Sequence, residues 1–314
     1  MMEVPVYLIT GFLESGKTSF IRDVLSSPDF ADGQKTLLIV CEDGEEEYDV
    51  KDFSRHNIEI VTVDQEEKLT PAYLERCHKI YKPYRVFVEF NGMWDAKAFV
   101  EKGIPRRWDV VQIITLVDGS TFEVYLNNMR SILSNIFALT ELVIFNRCTE
   151  QMDLQKFRRS VKAINQQVMC SFEDDEGNQL DIGKAQPPYD LNADVIRIDD
   201  VDFGLWFLDM TDNPDRYRGK TVSFIGKVMI PRKFPEGCFI PGRNAMTCCA
   251  NDIRFIGYIC KAKAPLGLKQ KDWVEVTAKV KYEYAPEYGG EGPILYAQQL
   301  KSIDPPADEL VYFN

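Results

Sequence analysis

Along the first 170 positions, compact apolar runs recur at 4–10, 36–40, 58–63, 85–90, 110–118, 142–146 and 167–172, with helical periodicity between them. Several runs are apolar almost without interruption, the pattern of strands covered on both faces. Between the first two, Phe20, Ile21, Val24 and Leu25 fall at helical spacing. Repeated strand–helix units predict an α/β domain over residues 1–172, built on a mostly parallel sheet. The pattern breaks at Phe172. Residues 173–218 are rich in polar and turn-forming positions and predict a linker. Within it, a short strand at 195–198 is expected to return to the first sheet, and a short helix to form between 203 and 218. From 219 to 314 the chain reads as short strands at 221–230, 238–247, 253–260, 273–284 and 294–303, a second domain that suits a small β-barrel of the OB type. Gly289, Gly290, Gly292 and Pro293 mark the turn expected between its last two strands.

Composition narrows the function classes. A chain of 314 residues exceeds what one core usually holds, in keeping with two domains. The net charge of −12 opposes binding to nucleic-acid backbones or anionic membranes, and no basic run offsets it. The aromatics Phe224, Phe239, Phe255, Tyr258 and Tyr282 could form a stacking platform for single strands, but they read more simply as barrel core, and no nucleic-acid partner is expected. The chain starts without the basic and apolar segments of a signal peptide and has no apolar stretch long enough to span a membrane, so a cytoplasmic location is expected. Eight cysteines at 41, 77, 148, 170, 238, 248, 249 and 260 are then expected as thiols. Two histidines, His56 and His78, are too few for a histidine-based metal store.

The strongest chemical signal is Gly11-Phe-Leu-Glu-Ser-Gly-Lys-Thr18. It follows a predicted strand and opens a predicted helix, the context of a phosphate-binding P-loop. Gly11, Glu14, Ser15 and Gly16 would bring backbone N–H groups around phosphate oxygens at a helix N-terminus. Lys17 would reach the β- and γ-phosphates, and the Thr18 hydroxyl would bind Mg²⁺. Phosphoryl transfer also needs a carboxylate near a strand end, and Glu89 closes the run from Arg85. With Lys17 it forms the expected catalytic pair; a solvated strand-end glutamate is the plainer alternative. Asp118 could serve similarly or could cap the next helix. In the acidic segment 42–49, Glu42 is the best candidate to help hold Mg²⁺, against a solvated loop as the alternative.

Taken in order, these pieces resemble the CobW-like GTPases, relatives of the urease and hydrogenase metallochaperone GTPases. The resemblance covers about residues 4–170 and rests on the Gly-Phe-Leu form of the P-loop, on Glu42-Asp-Gly44 with Asp49, on Glu89-Phe-Asn-Gly92, on Val117-Asp118 with Phe122, and on Ile144-Phe-Asn-Arg-Cys148. It implies a slow GTPase that uses Mg²⁺ and GTP and acts as a switch or chaperone in metal homeostasis, with a metal-dependent client protein and the option of a homodimer. It also implies that Asn146 and Arg147 contact the base. The family's Asn-Lys-x-Asp base reader is Asn146-Arg147-Cys148-Thr149 here, so a hydroxyl stands where a carboxylate would bond guanine. Glu150 could substitute, or the chain could use ATP. The family's Cys-x-Cys-Cys metal motif has no counterpart in 60–68.

Residues 203–313 resemble a poorly characterised bacterial domain that also ends one subunit of a permease-like pair linked to metal limitation. The resemblance rests on the segment 210–220, on Met246-Thr-Cys-Cys-Ala250, on Asp272-Trp-Val and on the closing Tyr-Phe. Cys248 and Cys249 could converge with Cys238 and Cys260 into a thiolate site for Zn²⁺, with buried structural cysteines as the alternative. A non-hydrolysing nucleotide sensor that binds a protein through the barrel remains a second reading.

Overall fold

The computed structural model describes residues 3–42, 44, 48, 57–183, 186–247, 253–263 and 267–313. They form two compact units, 1–182 and 183–314.

The first unit contains strands β1 (Val4–Thr10), β2 (Thr36–Val40), β3 (Ile58–Thr62), β4 (Arg85–Glu89), β5 (Trp108–Asp118), β6 (Leu142–Asn146) and β7 (Met169–Phe172). They make one parallel sheet in the order β3-β2-β4-β1-β5-β6-β7. All five residues of β2 and of β4 are buried, as uninterrupted apolar runs require. Successive side chains serve opposite faces. Leu37, Ile39, Val86 and Val88 pack with Leu74 and Cys77 of helix α2 (Pro71–Tyr81), whereas Leu38 and Phe87 pack with Ile21 and Leu25 of α1 (Lys17–Ser26). Helices α3 (Phe122–Asn128), α4 (Arg130–Leu139) and α5 (Leu154–Ile164) cover β6 through an aromatic cluster of Phe122, Phe137, Phe145, Phe157 and Phe172. Residues Ala96–Ala98 and Phe99–Gly103 form a short helical segment ahead of β5. At the sheet's opposite edge from β3, Leu180 N–H bonds Phe172 O at 2.8 Å, so the chain past β7 folds back on it.

In the second unit, strands β9 (Thr221–Met229), β10 (Cys238–Ala245), β12 (Ile259–Lys261), β13 (Trp273–Ala285) and β14 (Gly290–Ile303) close into a five-stranded barrel. The ring runs β9-β10-β12-β14-β13 and back to β9. β9 closes it because its C-terminal half also pairs with β10, while most of its length pairs with β13. The strict alternation of buried and half-buried positions along β9 is that of a strand with one face in a core. β11 (Arg254–Gly257) and β15 (Leu310–Val311) extend the sheet from β10. Helix α6 (Phe203–Asp212) buries Trp206 against Phe224, with ring centroids 4.7 Å apart, and against Tyr258 at 5.6 Å.

Four expectations are changed or narrowed. The strand expected at 195–198 is β8 (Ile196–Arg197), and it pairs in parallel with β9 rather than with the first sheet. Four residues cannot reveal which sheet they will join; the pairing register decides it. The single strand expected at 253–260 is two, because Tyr258 turns its hydroxyl into α6, onto Phe207 O and Thr211 Oγ1, and breaks the ladder. The last turn lies at Ala285–Gly289, where Gly289 N–H bonds Pro286 O and Gly289 adopts φ 64°. Gly292 and Pro293 sit inside β14, opposite Glu283 and Tyr282. The helix expected within 203–218 stops at Asp212, before Pro214.

Candidate functional site

A parallel sheet delivers the C-terminal ends of all its strands to one edge, where ligands of such folds bind. Here that edge gathers the residues after β1, β2, β4, β5 and β6. They line a cleft of about 270 Å³ formed by Leu13, Glu14, Gly16, Lys17, Thr18, Ser19, Glu42, Gly44, Glu89, Asp118 and Arg147.

The loop after β1 has the backbone its glycines permit. Gly11 has φ 140° and Gly16 has φ 92°, both outside the range of ordinary residues, and Glu14 is left-handed at φ 61°. Close packing imposes a second demand on Gly11, since a Cβ there would lie 2.3 Å from Leu116 O. Gly92, in the turn after β4, meets the loop from the other side: its Cβ would lie 2.4 Å from Gly11 O. The loop is thus held between backbones, and α1 begins at Lys17 with its N-terminus facing the cleft.

Lys17 is buried, 3% exposed. Its ammonium donates to Gly11 O at 3.0 Å and Phe12 O at 2.7 Å and pairs with Glu42 Oε2 at 2.5 Å. Thr18 Oγ1 donates to Glu89 Oε1 at 2.7 Å, and Tyr48 OH donates to Glu89 Oε2 at 2.6 Å. Burial and the Glu89 carboxylate push the Tyr48 phenol above its usual range, so it stays a donor. Asn146 Nδ2 donates to Ser15 O at 2.8 Å, and Arg147 Nη1 reaches both Glu14 O at 3.0 Å and Asp118 Oδ2 at 2.7 Å. Asp118 Oδ1 also accepts from Ser120 N and Oγ, at 2.8 and 2.6 Å, so it closes a local turn; the residue that precedes α3 is Thr121.

The structure therefore brings Gly11, Glu14, Ser15, Gly16, Lys17, Thr18, Glu42, Glu89, Asn146 and Arg147 to one place. Asn146 and Arg147 bond the main chain of the phosphate loop, and Glu42 lies on Lys17. Thr149 and Glu150 are both exposed. Tyr48 and Asp118 complete the polar lining. Nothing in the acidic segment singled out Tyr48, whose role depends on how the loop folds back. The close approach at Gly92 was signalled only by a glycine soon after a strand-end glutamate.

The site fits a magnesium–nucleotide. Ser15 Oγ and Asn146 Oδ1 are buried beside the cleft and lack hydrogen-bond partners, polar capacity that a ligand or water can use. A hydroxyl bonded to a carboxylate, Thr18 with Glu89, is an oxygen donor set suited to a hard cation.

The candidate thiolate site of Cys238, Cys248, Cys249 and Cys260 has two of its four members outside the described residues. In the β10–β12 register Cys238 stands opposite Lys261 and Cys260 opposite Phe239, so the two cysteines serve opposite faces. Burial pushes the Cys260 thiol up to about 12. Cys248 and Cys249 lie outside the described residues, as do Asp43, the glutamates at 45–47 and Asp49. Among the described residues no three His, Cys, Asp or Glu are grouped to hold a metal, and no helix is long and apolar enough to cross a membrane.

Residues 5–171 match the family model for the CobW/HypB/UreG nucleotide-binding domain, and residues 174–313 match that of the DUF1980 C-terminal domain. No curated protein matches the chain. Among solved structures, the hydrogenase maturation factor HypB from Archaeoglobus fulgidus is similar at 16% identity and TM-score 0.42, over 56% of this chain and 84% of that one. The Zn(II)-bound YjiA GTPase from E. coli is similar at 17% identity and TM-score 0.42, over 73% of this chain and 74% of that one.

Proposed function

Because the chain belongs to the CobW/HypB/UreG family and carries its nucleotide-binding domain, we propose that it binds a nucleoside triphosphate with Mg²⁺, preferring GTP, and hydrolyses it slowly. The observation that carries this reading is the meeting of a buried P-loop lysine with the Thr18–Glu89 pair in one cleft. Lys17 would bind the β- and γ-phosphates, and the backbone N–H groups at the start of α1 would take the remaining oxygens. Thr18 and Glu89 would hold Mg²⁺, which supplies charge neutralisation along the phosphates. The second oxygen of Glu89 would orient the attacking water once Tyr48 yields it. Asn146 couples the base end to the phosphate end, since one side chain reaches Ser15 O from the strand that carries the base reader.

The family context supports a role in metal homeostasis, with hydrolysis or exchange changing how the loop after β2 presents itself to a metal-dependent client. The strand order of the closed barrel supports an OB-like second domain that would serve as the partner-binding module. One feature favours ATP instead: Thr149 is exposed and offers no carboxylate to guanine. Titration of fluorescent GTP and ATP analogues with Mg²⁺, on the wild type and on Lys17→Ala, tests the proposal. A GTP preference lost in the variant supports it. Equal or better ATP binding removes guanine specificity, and binding unaffected by the substitution removes the site.

A further inference from the structure

The sheet edge offers a carboxylate next to Asn146 from a strand other than β6. In the β6–β7 register Phe145 pairs with Phe172, so the next residues, Asn146 and Glu173, stand side by side. Main-chain bonds fix that step: Glu173 N–H donates to Phe145 O at 2.8 Å, and Cys148 N–H donates to Glu173 O at 2.9 Å. Side chains alternate along a strand. Phe145 and Phe172 stack in the aromatic cluster, with centroids 4.9 Å apart, so Asn146 and Glu173 turn to the other face, on which Asn146 reaches Ser15 O. The other carboxylates near this end are occupied or exposed. Asp118 holds Arg147 and Ser120, and Asp174 accepts from Glu176 N, Asn178 N and Asn178 Nδ2 at 2.9, 2.8 and 3.0 Å. Glu150 is exposed. Glu173 is half-buried, and among the described residues its carboxylate has no hydrogen bond or ion pair; burial, and then the Asp174 charge, raise its pKa. Burial first, and also the charges of Asp118 and Glu173, push the Cys148 thiol up to about 11, which sets the Glu173 carboxylate beside the turn after Asn146. A half-buried carboxylate without a donor is a costly group to keep.

Resting on the nucleotide-binding reading above, we propose that Glu173 is the guanine-reading carboxylate of this chain, supplied from the end of β7 in place of the Thr149 position on the turn after β6. Guanine presents two adjacent donors, N1–H and the 2-amino group, and a carboxylate accepts from both at once. These would give Glu173 the partners it lacks. Adenine presents an acceptor at N1, which meets the same carboxylate unfavourably, so the residue that selects GTP also rejects ATP. The base of ITP keeps N1–H but has no 2-amino group, and bonds once. Base choice is then carried by two neighbouring strands, and the hydroxyl of Thr149 is not required for it.

The test reads the base and not the fold. Xanthine carries a carbonyl where guanine carries the amine, an edge that an amide can bond and a carboxylate cannot. Dissociation constants for GTP, ITP, ATP and XTP, each with Mg²⁺, are measured by calorimetry on the full chain, on Glu173→Gln and on Glu150→Gln. The wild type is expected to prefer GTP over both ITP and ATP. Glu173→Gln is expected to weaken GTP roughly 10- to 100-fold, to leave ATP near its wild-type value and to strengthen XTP. Equal weakening of every triphosphate by Glu173→Gln would make the residue structural and overturn the assignment. A GTP preference that survives Glu173→Gln, or that is lost in Glu150→Gln instead, would overturn it too. Should Glu173→Gln fail to fold, Glu173→Ala carries the same arm, with the loss of GTP expected and no gain of XTP. A wild type that binds all of them equally defeats the Glu173 assignment alone, whereas one that binds none defeats the nucleotide-binding reading itself.

Discussion

The two units treat their polar groups differently. In the barrel unit Asp209 and Arg243 sit in closed networks, although the buried Trp206 Nε1 has no partner. Asp209 accepts from Asn213 at 2.8 Å, from Arg216 at 2.7 Å and from Tyr217 at 2.5 Å, and Tyr217 shares a further bond with Tyr189 at 2.7 Å. Arg243, with no exposed surface, is taken up by Asp200, by the carbonyls of Asp308 and Glu309 and by the face of Trp273. In the parallel-sheet unit Ser15 Oγ and Asn146 Oδ1 are buried without partners, and Lys17 is held by a carboxylate on a loop. Closed networks stabilise and position; open ones leave free energy for a ligand to supply. The contrast separates residues that hold the barrel together from residues that await a nucleotide.

Substitutions in the two units should therefore fail in different assays. The largest effect is expected from Lys17→Ala, which should weaken fluorescent GTP-analogue binding by on the order of 100-fold. Asp209→Ala should act on stability instead. It strands Arg216 and takes one partner from the Tyr217 hydroxyl, and chemical denaturation should show a loss of about 2 kcal/mol with nucleotide affinity unchanged. If Asp209→Ala abolished nucleotide binding without unfolding, the division between structural and ligand-facing networks would be wrong. Glu89→Gln should lower kcat by roughly tenfold or more while KM moves by a few-fold at most, since the carboxylate serves the reaction more than the grip; equal loss in both would make it structural. The smallest effect is a pH dependence. Hydrogen bonds from Arg85 hold the Asp32 carboxyl below its ordinary value near 3.8. A depressed native pKa means this contribution is complete above about pH 4 and is lost as the pH falls through the native value. Asp32→Asn should therefore reduce the acid sensitivity of the first unit, followed by circular dichroism between pH 5 and pH 2.

Much of the first unit was legible in the sequence. Strands buried on both faces announce themselves as unbroken apolar runs, and β1, β2 and β6 begin and end where those runs do. The phosphate loop was legible because its spacing is set by backbone geometry, which only glycine satisfies at Gly11 and Gly16. What was hidden depends on residues distant in sequence. Tyr48 reaches Glu89 across 41 positions and Arg147 reaches Asp118 across 29. No local pattern encodes either meeting. The barrel was legible in strand number and spacing, but not in the sheet that β8 joins or in the break at Tyr258, because both are settled by contacts with β9 and α6.

The backbone contact between Gly11 and Gly92 sets a rule for variation in this site. With a Cβ at 92 falling 2.4 Å from Gly11 O and one at 11 falling 2.3 Å from Leu116 O, three stretches of main chain lie against one another and no side chain separates them. Mutation cannot adjust such a stack by degrees, since the smallest change, one methyl group, already collides. The seat of the phosphates is then the inherited part of the protein. Novelty is confined to the rim, where Glu14, Glu42, Tyr48 and Arg147 project side chains that can be exchanged one at a time. A lineage built on this scaffold could change its base, its trigger or its client while its hold on the phosphate chain stays as it was.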